Sequence, residues 1–354
     1  MRRISKITSI FFLSLVLAVF LLVNTSLCQG PITYSINADG TITPKTSFIT
    51  FSGNTYSFTG NFSGSINVYA SNVIIDGNGY TLQGLDGVGI WLREVNNVTI
   101  RHLTVIDFFM SGLYLTSSSN DTVCFNNFGV NDYCGIDLEN ASNNNNIFEN
   151  NLSNNCFAGI RLSDNSPIPS VGSGSDFNRV YDNEISENLQ YGIFVSNSSN
   201  NKIYQNDISN NSDAGIDIAS SSNNKFYLNN LIGNSPNAQV GGEIDYFTGT
   251  GIGGSGANIW DNGSAGNYWS DYKGQDSNHD GIGDKAYRVD ANNVDNYPLM
   301  SSFGVTTLLS GNKQVSQSIQ TALIIAIVGV AAAVVGVGLF YDFKKQQSQH
   351  QIAF

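Results

Sequence analysis

The chain has 354 residues, of which 41% are hydrophobic and 12% charged, so it is long enough to bury a large core. Its 16 lysines and arginines against 28 aspartates and glutamates give a net charge of −12. That balance disfavours nucleic acid as a partner and suits a secreted surface that binds cations. Three cysteines follow the N-terminal leader, Cys124, Cys134 and Cys156, and an odd number without paired spacing is not a disulfide framework.

The first 28 residues have the pattern of a secretory signal peptide. A basic start, MRRISK, precedes the apolar run ITSIFFLSLVLAVFLLV, and Ser26 and Cys28 take the −3 and −1 positions of a cleavage site. A first membrane anchor is the alternative, and a lipoprotein at Cys28 is disfavoured by the bulky Leu27 before it. We therefore predict a signal peptide over 1–28 and an N-terminal cap over 29–70.

A repeat of about 23 residues occupies 71–239, and SNVIIDGNGYTLQG at its start is predicted to be an early coil. The repeat is marked by a glycine before an apolar–x–apolar triplet, with intervals of 23, 23, 24, 33 and 23 residues. An insertion around Ser166–Asp176 accounts for the long interval. The marking glycines are Gly89, Gly112, Gly135, Gly159, Gly192 and Gly215.

Each repeat contains three short apolar alternations, Gly-Ile-x-Leu, then Asn-x-Ile, then x-Leu/Ile-Ser-x-Asn, and no helical period. This pattern predicts three strands per coil of an all-β parallel β-helix, in which equivalent residues stack about 4.8 Å apart. Stacked asparagines are expected to satisfy one another's amides at the corners. Two asparagine columns follow the register: Asn126, Asn150, Asn183, Asn206, Asn229, and Asn131, Asn155, Asn188, Asn211, Asn234.

The Gly-led strand also predicts an outward column, because side chains alternate along a strand. Its members are expected to point to solvent and form a ligand-binding face. The first column contains Trp91, Tyr114, Asp137, Arg161, Phe194 and Asp217, and the second, two residues on, contains Arg93, Thr116, Glu139, Ser163, Ser196 and Ala219.

Three interpretations of this face stay open: a structural surface, a glycan-binding surface and a catalytic site. Aromatic rings beside charged groups suit sugar binding, since rings stack on pyranose faces while charged groups bind hydroxyls. Asp137 and Glu139 would lie roughly 7 Å apart, within the range of glycosidase pairs. Arg161, one coil on, is expected to keep Asp137 ionised in a cross-strand ion pair, which favours recognition over catalysis.

The repeat NNIFENNLSNNCFAGIRL and the tail GNYWSDYKGQDSNHDGIGDKAYRVDANNVDNYPLM resemble the NosD-like right-handed β-helix proteins, in particular archaeal cell-surface members with a C-terminal anchor. The resemblance covers about 60–300. It implies a right-handed, pectin lyase-like solenoid with end caps, and it implies copper, because the family is named after a periplasmic accessory protein of copper-centre maturation.

The residues themselves give little support to copper, which prefers clustered His, Cys or Met ligands. The histidines are His102, His279 and His350, and the methionines after the leader are Met110 and Met300.

The C-terminal cap, predicted over 240–300, contains the segment DSNHDGIGD, which resembles a calcium-binding loop. Alternate side chains of such a loop converge on one point, where oxygen ligands suit Ca²⁺. Gly281 supplies the turn, Tyr287 replaces the usual closing glutamate, and Asp290 or Asp295 is expected to close the shell. An ordinary Asp/Gly-rich turn is the alternative. The predicted ligands are Asp276, Asn278, Asp280, Ile282 and Asp284.

The C-terminal end predicts a membrane anchor. The apolar run TALIIAIVGVAAAVVGVGLFY has no charge and is long enough for the hydrocarbon layer. Lys344 and Lys345 follow it, which places the tail in the cytoplasm. We predict a stalk over 301–318, a transmembrane helix over 319–341 and a cytoplasmic tail over 342–354.

Three functions follow as hypotheses. The first is a membrane-anchored, non-enzymatic surface protein that recognises a glycan or another envelope component. The second is a polysaccharide lyase or glycoside hydrolase acting on the face between Trp91 and Arg161. The third is a copper-accessory protein of the NosD kind.

Overall fold

The computed structural model describes residues 32–164, 174–241 and 255–304. Within these residues the chain is all-β, without a helix, and winds through three mainly parallel sheets in about eight coils of about 23 residues. The predicted β-helix is confirmed. The leader at 1–28 and the C-terminal segments at 305–354 lie outside the described residues.

Each coil contributes one strand to each of three sheets, called here sheets 1, 2 and 3. In the described residues, sheet 1 contains Ile42–Thr43, Thr33–Ile36, Ser65–Val68, Ile90–Arg93, Leu113–Thr116, Cys134–Glu139, Ala158–Leu162, Tyr191–Ser196, Ala214–Ala219 and Ala238–Val240, in spatial order. Sheet 2 contains Lys225–Tyr227, Lys202–Tyr204, Arg179–Tyr181, Asn146–Phe148, Thr122–Cys124, Thr99–Arg101, Ile74–Asp76, Thr55–Phe58 and Ile49–Ser52. Sheet 3 contains Tyr268–Trp269, Asn230–Ile232, Asp207–Ser209, Glu184–Ser186, Asn151–Ser153, Asn127–Gly129, Thr104–Ile106, Thr81–Gln83 and Phe62–Ser63.

The sheets extend into both predicted caps. Ser65–Val68 pairs in parallel with Ile90–Arg93, and Thr33–Ile36 pairs with Ser65–Val68. At the other end Tyr268–Trp269 joins sheet 3, while Tyr287–Arg288 and Val294–Asp295 form a separate antiparallel pair. The winding therefore begins before the first glycine that marks the repeat.

Inward-facing aliphatic residues from all three sheets form one continuous core. The marking glycines are needed at the entrance to sheet 1 because there is no room for a side chain. A Cβ on Gly135 would lie 2.7 Å from the carbonyl oxygen of Gly159 and 2.9 Å from the Leu152 side chain. The same holds at Gly192, where the carbonyl oxygen of Gly215 would be 2.5 Å away. Close stacking of coils thus explains the glycine signature.

The two predicted asparagine columns form hydrogen-bonded ladders at buried corners. The backbone N–H and the side-chain amide of Asn150 both donate to the side-chain oxygen of Asn183, each at 3.0 Å. The same amide also donates to the backbone carbonyl of Val123 at 2.9 Å. The left-handed backbone conformation belongs to the preceding residue, for example Glu149 and Asp182, and not to the ladder asparagine. A third ladder, not anticipated from the sequence, contains Asn145, Asn178, Asn201, Asn224 and Asn258.

Asp121 occupies the first position of this third ladder, where an asparagine would fit. Its Oδ1 accepts the Val98 N–H at 2.8 Å, whereas its buried Oδ2 has no partner. Burial raises the pKa of Asp121 to about 7, although the Val98 hydrogen bond opposes the shift. Because the folded-state pKa is raised, the stability that the protonated form contributes is complete below pH 3.8 and is lost as the pH rises through about 7.

Replacing Asp121 by asparagine is therefore expected to stabilise the protein at pH 8 by about 1–3 kcal/mol, because it removes a buried charge and adds a ladder donor. At pH 5 the gain should be smaller, because much of the stability that protonated Asp121 contributes is still present. Urea unfolding at the two pH values measures the difference. An Asp121→Asn protein that is no more stable than its parent at pH 8 would show that this ladder does not extend to residue 121.

Candidate functional site

The parallel pairing of sheet 1 places the predicted outward residues in register. Trp91 pairs with Tyr114, Tyr114 with Asp137, and Asp137 with Arg161. Phe194 and Asp217 continue the same column. In the second column the paired residues are Arg93, Thr116 and Glu139, and further along Ser196 and Ala219.

Much of this face does not point to solvent, which corrects the expectation from the alternation. Asp137 and Glu139 are each 3% exposed and Arg161 is 4% exposed. One nitrogen of Arg161, Nη1, lies 3.2 Å from both carboxylate oxygens of Asp137 and also contacts Glu139 Oε1. The three side chains form a buried charge cluster. The ion pair between Asp137 and Arg161 is present as expected.

The cluster holds one cation against two carboxyl groups. Burial raises the pKa of Asp137 to about 7, and the neighbouring Arg161 only partly offsets this. Arg161 favours the ionised form of Asp137, as expected, but its single guanidinium is shared with Glu139. Tyr114 donates its hydroxyl to Glu139 Oε2, and burial raises the pKa of this tyrosine.

Phe194 also proves to be a packing residue, at 4% exposure, and not an open ligand contact. Its ring centre lies 5.4 Å from that of Phe157 and 5.3 Å from that of Tyr191. These rings belong to an apolar cluster outside the main core, beside the buried Cys134. The aromatic residues that precede the marking glycines, such as Tyr191, indicate this second cluster in the sequence.

The half-exposed end of the face consists of Tyr69, Trp91, Arg93 and Tyr114, called here the aromatic–arginine patch. The Arg93 guanidinium carbon lies 3.2 Å from the centre of the Trp91 ring and 5.9 Å from that of Tyr69, which is 40% exposed. Trp91 donates its indole N–H to Thr116 Oγ1 at 2.9 Å, and its ring centre lies 5.2 Å from that of Tyr114. Hydrogen bonds and packing therefore fix the orientation of the rings.

Tyr69 was not among the predicted site residues. It follows the strand Ser65–Val68, whose triplet Ile-Asn-Val pairs in register with Ile-Trp-Leu of the next coil. Ser65 stands where the repeat has its glycine, so the signature was missed, although the triplet begins 24 residues before the one at Ile90.

The predicted calcium loop is an exposed turn whose polar side chains bond to one another and to its own backbone. Asp276 accepts the Gly281 N–H at 2.9 Å, Asn278 donates to Asp280 at 2.9 Å, and Asp284 accepts from the Ser277 hydroxyl at 2.6 Å. No group of three His, Cys, Asp or Glu residues in the described parts of the chain is placed to hold a metal ion. The ligand role predicted for the backbone carbonyl of Ile282 stays a prediction.

The two residues expected to close the calcium shell lie elsewhere. Asp295 is buried and accepts the Trp269 indole N–H at 2.8 Å, and Asp290 accepts the Asn293 N–H at 2.7 Å. That part of the expectation is corrected, since both carboxylates serve the backbone and side chains of the C-terminal region. The calcium site itself stays a prediction.

If the loop binds calcium, millimolar CaCl₂ is expected to raise the melting temperature of the protein, because a ligand that binds only the folded state stabilises it. The gain should be absent in Asp280→Asn, which removes one charge from the loop. Asp213→Asn, at an exposed acid in the repeat, serves as the control. An equal calcium response in all three proteins, or none in the parent, would contradict the site.

None of the described residues forms a helix that is long and apolar enough to cross a membrane. The transmembrane helix predicted over 319–341 lies outside the described residues.

Two family models match the chain. The model described as "Right handed beta helix region" matches residues 32–173, and the model described as "Periplasmic copper-binding protein (NosD)" matches residues 160–274. No curated protein matches the chain. The fold and the first match define a right-handed parallel β-helix protein. The second match supports the resemblance to the NosD-like right-handed β-helix proteins.

Several solved structures are similar to parts of this chain at low identity. A mutant of the periplasmic alginate epimerase AlgG is 22% identical, with 51% of this chain and 42% of that chain covered and a TM-score of 0.42. The A-module of the mannuronan C-5 epimerase AlgE6 from Azotobacter vinelandii is 16% identical, with 58% of each chain covered and a TM-score of 0.48. Pectate lyase Pel9A is 17% identical, with 70% and 69% covered and a TM-score of 0.36. The chain thus spans about half the length of the first two proteins.

The described residues do not fit a copper ion. Cys134 is buried beside an apolar cluster, and burial raises the pKa of its thiol well above the usual value, which opposes the thiolate form that binds metals. Cys124 is buried on sheet 2 and Cys156 lies at a corner beyond sheet 3, both as free thiols. The nearest polar partner of His102 is Asp76, at 3.3 Å. Potential soft ligands are therefore dispersed over the surface and core.

Proposed function

We propose that this protein is an extracytoplasmic glycan-binding β-helix that recognises a polysaccharide through the aromatic–arginine patch. The observation that carries the proposal is Arg93, which is stacked on Trp91 at 3.2 Å and forms no ion pair in the described part of the chain. A planar cation held on an aromatic ring presents several N–H donors in a fixed geometry. Sugar hydroxyls and carboxylates are the groups that such donors recognise.

Rigidity of the patch supports recognition. The Trp91 indole is held by Thr116, and the Tyr114 hydroxyl is held by Glu139. Side chains that are already ordered lose little conformational entropy on binding, so more of the interaction free energy is available to the complex. The buried charge cluster has a positioning role in this proposal, since Glu139 orients Tyr114.

Burial of the charge cluster favours recognition over catalysis. Both carboxylates contact Arg161, and both are 3% exposed, so neither presents an oxygen to a bound sugar. The one observation in favour of a lyase or hydrolase is the pKa of Asp137, at about 7, which suits a general base. Release of unsaturated or reducing ends from a polysaccharide, abolished by Asp137→Asn, would support that second function.

We also propose that the protein is held at the cell membrane by one C-terminal span over 319–341, with the β-helix outside and a short tail in the cytoplasm. The support is the uncharged apolar run followed by Lys344 and Lys345. This arrangement would place the patch at the cell surface, where polysaccharides of the envelope are available.

Binding of the full-length protein to an array of neutral polysaccharides tests the main proposal. For a polysaccharide bound by the parent, Trp91→Ala and Arg93→Gln are each expected to lower the affinity at least about tenfold, the effect of losing about 1.4 kcal/mol. Tyr297→Ala is the matched control, because Tyr297 is 37% exposed and lies outside the patch. Absence of any bound polysaccharide, or binding unchanged by both patch variants, would contradict the proposal.

A further inference from the structure

The outer face of sheet 2 carries an aromatic column and a cationic column side by side. Phe148, Tyr181, Tyr204 and Tyr227 pair in register at the third position of consecutive strands. Arg179, Lys202 and Lys225 pair in register at the first position. Residues two apart on a strand lie on the same face, roughly 7 Å from each other. The six residues Arg179, Tyr181, Lys202, Tyr204, Lys225 and Tyr227 are called here the tyrosine–cation face.

The tyrosine rings stack on one another and leave only their edges to a ligand. The ring centres of Tyr181 and Tyr204 are 5.1 Å apart with an interplanar angle of 5°, and those of Tyr204 and Tyr227 are 5.1 Å apart at 4°. All three side chains are half-buried, and none of their hydroxyls has a hydrogen-bond partner in the described parts of the protein. Ring stacking is enough to explain why the column consists of aromatic residues and packs against itself. It does not involve the three hydroxyls, which stay available to a ligand.

Ring stacking does not explain the column of cations beside the tyrosines. Arg179, Lys202 and Lys225 are exposed, stand directly opposite one another in adjacent strands, and form no ion pair in the described chain. Like charges in directly opposite positions destabilise a sheet. Three of them in a row, in a protein of net charge −12, are therefore an energetic cost that a partner of opposite charge would remove.

The acids around the face do not neutralise it. Asp176 lies at the corner before Arg179 and accepts the Ser199 N–H at 2.6 Å, while Asp182 lies at the corner after Tyr181. Both are half-buried. Asp261, one coil beyond Tyr227, bonds to Asn296 at 3.0 Å. These carboxylates lie beside the row of cations, and none of them stands between two of its members.

We propose that the tyrosine–cation face binds a linear acidic polysaccharide along the axis of the β-helix, with its carboxylate or sulfate groups on the three cations and its hydroxyls on the tyrosine hydroxyls. Charge complementarity selects an anionic chain. Single-stranded nucleic acid is the less suitable polyanion, because it binds to such proteins by stacking bases on open ring faces. Those faces are occupied here by neighbouring rings. The site is separate from the aromatic–arginine patch and does not depend on it.

The test uses full-length protein and three immobilised probes: sodium polygalacturonate, dextran sulfate and a single-stranded oligothymidylate. The parent is expected to bind at least one of the two acidic polysaccharides, with an affinity that falls as salt rises. The triple variant Arg179→Gln, Lys202→Gln, Lys225→Gln should bind at least tenfold more weakly. Comparison of polygalacturonate with dextran sulfate distinguishes carboxylate from sulfate recognition.

The control is the triple variant Lys273→Gln, Lys285→Gln, Arg288→Gln, which changes the charge equally at exposed cations of the C-terminal region. It should bind like the parent. Equal weakening in both triple variants would show that net charge alone causes the effect, and it would overturn the proposal. Preferential binding of oligothymidylate, or no binding to either acidic polysaccharide, would also overturn it.

Discussion

Replacing Asn183 by alanine is expected to destabilise the β-helix by roughly 3–5 kcal/mol, since each buried polar group left without a partner costs about 1–3 kcal/mol. The Asn183 carbonyl accepts two hydrogen bonds from Asn150, and its amide donates to the carbonyls of Ile147 and Tyr181. The side chain is fully buried. Alanine would leave the Asn150 N–H and the Ile147 carbonyl unsatisfied inside the corner.

Urea unfolding of the variant and its parent measures this cost. Asn127→Ala is the control, because Asn127 directly follows the ladder residue Asn126 but begins a strand and is only half-buried. Its effect should stay within about 0.5 kcal/mol. Asn183→Asp should be strongly destabilised at pH 8 and recover on acidification, because a buried carboxylate is tolerated only when protonated. A loss below about 1 kcal/mol for Asn183→Ala would contradict the ladder as a main source of stability.

Removal of the guanidinium by Arg161→Met is expected to cost about 3–5 kcal/mol at pH 8, because two buried carboxyl groups would lose their only cation. The cost should decrease as the pH falls. The folded-state pKa of Asp137 is already raised to about 7, so stability linked to its protonation is complete below pH 3.8 and lost as the pH rises through about 7. Without Arg161 this pH dependence should become steeper.

Two further variants test whether the lost charge of Arg161, and not its lost packing, causes the loss of stability. Arg179→Met removes an exposed, unpaired arginine and should change stability by no more than about 0.5 kcal/mol. Adding Asp137→Asn and Glu139→Gln to Arg161→Met should restore much of the stability, since no buried charge remains. An Arg161→Met protein as stable as the parent at pH 8 would show that the cluster is open to solvent.

The register of the fold could be predicted because it depends on steric requirements that leave marks in the sequence. A glycine is required wherever a Cβ would meet the next coil, as at Gly135, and the same spacing fixed two of the asparagine ladders. The third ladder was not predicted, because three of its members have asparagine neighbours, as Asn145 does in the run from Asn143 to Asn146. Composition does not indicate which asparagine of such a run faces inward.

Burial on the outer face could not be predicted from alternation alone. Alternation places Asp137 and Phe194 outside the coil, but it says nothing of what packs against the sheet from outside. Part of the answer lies in Tyr191 and Phe157, aromatic residues before the glycine-led strands, which surround Phe194. The three cations on sheet 2, Arg179, Lys202 and Lys225, can be found in the sequence by the same register. Side-chain geometry is needed to show that none of them forms an ion pair within the described residues.

Side-chain oxidation footprinting of the protein, with and without a saturating polysaccharide from the array, tests most directly whether sheet 1 presents the glycan-binding surface. Hydroxyl radicals modify accessible aromatic side chains, and the rings of Tyr69 and Trp91 are accessible in the free protein. Bound polysaccharide is predicted to lower the oxidation of both rings while Tyr297 stays unchanged. Unchanged oxidation of Tyr69 and Trp91 under saturating ligand would contradict the account.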